Sequence, residues 1–78
     1  MLLDFEHLLI RLIRNLQERV QSGEITERGL ARVAGISQPH LHNVLKGKRQ
    51  LSVAMADQVL RRLHLDVRDL IQPDERVR

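Results

Sequence analysis

The side chains able to do chemistry are few, and their spacing excludes most chemistries. There is no cysteine, so no thiolate nucleophile, no disulfide and no thiolate metal site. No glycine-rich run could cradle a phosphate. The serine, histidine and aspartate residues are accounted for by helix caps and helix surfaces, which leaves no nucleophile–base pairing. His40 and His42 are two positions apart, and residues at that spacing on a helix do not share a face. A metal site built on them is therefore not expected. His7 belongs to the surface of the first helix, and His64 falls at a helix end where glycine is more usual. A single aromatic residue, Phe5, gives no platform for stacking unpaired bases. Neither a cofactor nor an enzymatic activity is expected.

What remains is charge, and its placement is uneven. Residues 1–24 carry three basic and four acidic side chains, and residues 52–78 carry five of each. Residues 25–51 carry five basic side chains (Arg28, Arg32, Lys46, Lys48, Arg49) against Glu27 alone. The whole excess of +3 is thus supplied by the middle third, offset by the small deficit before it. Localised positive charge of this kind attracts a polyphosphate backbone.

Seventy-eight residues allow one domain with a thin core. The start of the chain lacks a basic segment followed by an apolar stretch, so no signal peptide is expected. No apolar run approaches the roughly 20 residues that span a bilayer. A cytoplasmic location, without membrane contact, follows as the expectation, and the lack of cysteine fits a reducing compartment.

The elements that must position the basic segment read as helices throughout. Proline occurs only at Pro39 and Pro73, and no stretch alternates with period two. The first helix is expected from residue 4 to about residue 21, with Leu2, Phe5, Leu9, Leu12, Ile13, Leu16 and Val20 on one buried face. Ser22 and Gly23 end it. Thr26 caps a second helix carrying Leu30, Ala31 and Val33. Gly35 falls where a tight turn needs a residue without a Cβ. Ser37 caps a third helix, with Pro39 in its first turn, where a missing N–H costs nothing. Leu41, Val44 and Leu45 are its apolar positions, and Gly47 ends it. Ser52 caps a fourth helix with Val53, Ala56, Val59, Leu60 and Leu63 inward. Asp66 caps a short fifth helix, and Leu70 and Ile71 pack back. One domain is expected over residues 1–72, with a frayed polar tail at 73–78.

Residues 27–46 fit a helix-turn-helix unit, in which two short helices meet steeply through a glycine-containing turn. Ala31 is small where the second helix approaches the third, and Leu30, Ala34, Ile36, Leu41 and Val44 point to the core. Across residues 25–71 the string ITERGLARVAGISQPHLHNVLKGKRQLSVAMADQVLRRLHLDVRDLI resembles the phage repressor/Cro-like (XRE-type) helix-turn-helix family. That family's pattern is L-T-x-x-x-L-A-x-x-A-G-V-S-x-x-x-I-S-x-x-x-x-G, and the agreement is close from Leu30 to Ser37.

The resemblance implies an all-α, five-helix, lambda-repressor-like DNA-binding domain with a central helix-turn-helix. It implies that the third helix enters the major groove of double-stranded DNA. Gln38, Pro39, His42 and Asn43 then become the base-reading positions. Gln and Asn can pair bidentately with adenine, and His42 can donate to guanine or phosphate. Ser37, Arg28, Lys46, Lys48 and Arg49 become phosphate contacts, which position the module without reading sequence. This chain departs from the pattern at two positions. Glu27 stands where relatives often carry a phosphate-contacting Gln, and would cap the helix or pair with Arg28 instead. Pro39 replaces a polar reader and offers only apolar contact, as to a thymine methyl.

Leu3, Leu8 and Ile10 lie off the main stripe of the first helix. They, or Leu65, Val67 and Ile71 near the end of the chain, are candidates for a two-fold interface. Such a homodimer would read half-sites about 34 Å apart. The expected function is a sequence-specific transcriptional regulator, a repressor that occludes a promoter. Two alternatives stand beside it. One is the antitoxin of a toxin–antitoxin pair, which would also bind a toxin protein. The other is a helix-turn-helix scaffold used only for protein contacts.

Overall fold

Each helix begins where a short polar side chain can replace the missing hydrogen bonds of the first turn. The computed structural model describes residues 4–71, and among them the fold is entirely helical. Helix α1 spans Phe5–Gln21, and the Asp4 carboxylate accepts from the His7 N–H at its start. Helix α2 spans Glu27–Ala34 and is capped by Thr26, whose hydroxyl accepts from Gly29 N–H at 3.0 Å. Helix α3 spans Gln38–Leu45 under a Ser37 cap, and α4 spans Val53–Arg62 under a Ser52 cap. The expected fifth helix is a four-residue 3-10 turn, Val67–Leu70. Asp66 caps that turn, and the Asp69 carboxylate accepts from the Asp66 N–H in return. The segment is too short for an α-helix to nucleate, and the capping box closes the tighter turn instead.

Three helices end by one device. At Gly35 the backbone turns left-handed (φ 71°), and Ile36 N–H reaches back to Ala31 O while Gly35 N–H reaches Arg32 O. Gly47 (φ 77°) does the same for α3, through Lys48 N–H to Asn43 O and Gly47 N–H to Val44 O. At the end of α4 the left-handed position is held by His64 (φ 56°), as its place in the sequence suggested. A residue with a Cβ strains there, which is why glycine is commoner at such sites.

The core consists of Leu12, Leu16, Leu30, Ala31, Ala34, Ile36, Leu41, Val44, Leu51, Ala56, Val59 and Leu70. Helix α1 lies against α3 and the 3-10 turn, and α2 lies against α3 and α4. Polar side chains tie the ends of these elements together. The Gln17 carboxamide donates to Leu45 O at 2.7 Å, joining α1 to the end of α3. Gln58 on α4 donates to Ala34 O (2.8 Å) and Gly35 O (3.0 Å), holding the turn between α2 and α3. The Arg11 guanidinium donates to Leu70 O at 3.1 Å.

Three apolar residues expected inside are exposed. Phe5 and Val53 occupy the first turns of α1 and α4, at the rim of the core rather than beneath it. Val33 lies on the outer side of α2, because the short α2 commits only Leu30, Ala31 and Ala34 to the interior. Leu3, Leu2 and the expected tail at 73–78 lie outside the described residues.

Candidate nucleic-acid interface

Helix α3 buries one face in the core and turns the other outward. Leu41 and Val44 anchor it in the core. Ser37 Oγ accepts from His40 N–H at 3.3 Å, and Pro39 sits in the first turn where no donor is needed. On the outer side, Gln38, Pro39, His42 and Asn43 line one shallow cleft together with Glu27 from α2. All four residues expected to read bases thus share a single surface. Gln38, Pro39 and His42 are exposed, and Asn43 is half-buried.

The turn after α3 carries the cations. Lys48 and Arg49 both donate their backbone N–H groups to Asn43 O, at 2.8 and 3.2 Å. This folds the segment back over the end of α3, so that Lys46, Lys48 and Arg49 follow directly on the cleft residues. The three are exposed and form no ion pair among the described residues. Arg28 and Arg32 are exposed on α2. Exposed cations free of carboxylates keep their full attraction for an anionic polymer.

The one acid of this region is placed differently from either expectation. Glu27 neither pairs with Arg28 nor serves as the cap, which is Thr26. Its Oε1 lies 3.1 Å from His42 Nδ1 on α3. The pair spans fifteen positions in the chain, and no short-range pattern announces it. Its partial signal was the acid itself, standing where the family pattern has an amide. His40, two positions before His42, is half-buried, and its Nε2 is enclosed without a hydrogen-bond partner among the described residues. The described residues contain no group of three side chains suited to hold a metal ion.

The candidate interface residues divide. Leu8 and Leu65 pack against the core, and Ile71 is half-buried. Ile10 and Val67 are exposed, and Leu3 lies outside the described residues. Val67 also borders an apolar groove that sequence reasoning missed. Phe5, Leu8, Leu9 and Leu12 of α1, Val53, Ala56 and Leu60 of α4, and Leu70 of the 3-10 turn form its walls. Asp57 is its only charged lining residue among the described residues. Residues of α1, α4 and the 3-10 turn wall the groove together, which no single helix pattern reveals.

No protein-family model, curated protein or solved structure matches the chain. No helix of the described residues is long and apolar enough to cross a membrane.

Proposed function

We propose that this protein is a sequence-specific double-stranded DNA-binding transcriptional regulator of the helix-turn-helix type, acting as a repressor and as a homodimer in the cytoplasm. Helices α2 and α3 with the Gly35 turn form the helix-turn-helix, and α3 is the helix that enters the major groove. One observation carries the reading. The exposed face of α3 presents Gln38, His42 and Asn43 on a common surface, and three cations without an ion pair among the described residues follow at its end. Carboxamides and imidazole suit base edges, and Lys46, Lys48 and Arg49 suit phosphates. The distribution of labour is testable by salt. Lys48→Ala/Arg49→Ala should weaken binding about equally on all sequences and reduce the slope of log affinity against log salt by about two. An unchanged slope in a folded double variant would remove these residues from the interface.

A second reading is supported by the apolar groove bounded by Phe5, Val53 and Val67. Exposed apolar surface of this kind suits a protein partner. An antitoxin that binds operator DNA through α3 and a toxin through this groove would use both faces. A scaffold serving protein contacts alone would use the groove and leave the cations idle.

A further inference from the structure

The hydrogen bond between Glu27 and His42 has a consequence for what α3 can read. A carboxylate only accepts hydrogen bonds. At 3.1 Å from Glu27 Oε1, Nδ1 of His42 must therefore be the donor, and the ring proton of neutral imidazole resides there. Nε2, the other ring nitrogen, is left as an acceptor without a hydrogen. The ring is half exposed in the cleft beside Gln38, Pro39 and Asn43. None of those three is ionisable, and Glu27 is the only ionisable partner within hydrogen-bonding distance of His42 among the described residues. Gln38 and Asn43 each offer both a donor and an acceptor, so either can turn to suit a base. His42 has no such freedom while Glu27 holds Nδ1.

We infer that Glu27 fixes the tautomer of His42 and makes it a reader of exocyclic amino groups, the N6 of adenine or the N4 of cytosine, in preference to the keto oxygens of guanine and thymine. This rests on the DNA-binding reading of α3. It also reverses the expectation that His42 donates to guanine, because the neutral ring has spent its only N–H on Glu27. Glu27 is thus a positioning residue: it acts on the base through His42, and its own charge works against phosphate binding.

The test has two arms. Nitrogen NMR of the histidine rings in the free protein, at about pH 8 where an ordinary imidazole is neutral, should show the Nδ1–H tautomer at His42. In Glu27→Ala it should shift toward Nε2–H. In the second arm, duplexes of randomised sequence are selected at the same pH with the wild type and three variants. The wild type should favour an amino-bearing base at the position that His42→Ala releases, by about five- to tenfold. Glu27→Ala should lose that preference. Glu27→Gln should keep it, since its amide oxygen still accepts from Nδ1, while all duplexes bind more tightly. An Nε2–H tautomer in the wild type, or an amino preference undisturbed in Glu27→Ala, would overturn the inference while leaving α3 as the reading helix. Selection of no sequence at all by the wild type would sink the DNA-binding reading and this inference with it, whatever tautomer the ring shows.

Discussion

Gly35 shows how much one residue can be asked to do. Its φ of 71° is left-handed, and a Cβ there would come within 2.9 Å of Gln58 Nε2 and 3.5 Å of the Arg62 guanidinium. Gln58 is the side chain that holds the carbonyls of Ala34 and Gly35. Gly35→Ala should therefore cost about 1–2 kcal/mol in backbone strain, with a further loss as Gln58 is displaced. Urea denaturation would measure it, and Gly47→Ala is the control, since a Cβ at Gly47 meets nothing within 4 Å. A larger loss at Gly35 than at Gly47 is expected. The turn at Gly35 was legible from residue type alone, as were the caps Thr26, Ser37, Ser52 and Asp66, because each rests on local backbone chemistry. The link between Glu27 and His42 was not, because it depends on how two helices cross.

At the scale of the element, the helix starts are electrostatic as well as geometric. The backbone N–H of His7, and then its ring, hold the Asp4 carboxyl below its ordinary value of 3.8. The Arg68 side chain, and then its backbone N–H, do the same for Asp66. Both folded-state values are lowered, so both caps contribute stability above the ordinary carboxylate range and lose it as pH falls through the lowered values. Unfolding midpoints followed from about pH 5 downward should fall in the wild type. The fall should be shallower in Asp4→Asn/Asp66→Asn, and parallel curves would show that the caps are not the titrating groups. The extents of the four helices were readable from caps and apolar spacing. The groove walls were misread, since helical periodicity gives the direction of Phe5 and Val53 but not whether a neighbouring element reaches far enough to cover them. The last element was misread in type for a related reason: periodicity over residues 67–70 cannot separate a short α-helix from a 3-10 turn.

For the molecule as a whole, the core of the described residues is small, and apolar side chains on α1, α2, α4 and the 3-10 turn stay exposed. Ile10 and Val67 are the exposed members of the two alternative two-fold surfaces, one on each. Ile10→Glu/Val67→Glu should give a folded monomer by sedimentation, and a persistent dimer would move the interface away from both Ile10 and the groove that Val67 borders. The basic middle third of the chain contains α3 and the turn after it, where Lys46, Lys48 and Arg49 are exposed. The central claim is that α3 reads bases while the turn after it grips phosphate. The most direct measurement is binding of the purified protein to a fragment carrying its own promoter and to random DNA, titrated across salt, with wild type beside Gln38→Ala/Asn43→Ala. Wild type should prefer the promoter, with an affinity that falls steeply with salt. The double variant should lose the preference while retaining weak, salt-sensitive binding. A folded protein that binds neither DNA at low salt would contradict it.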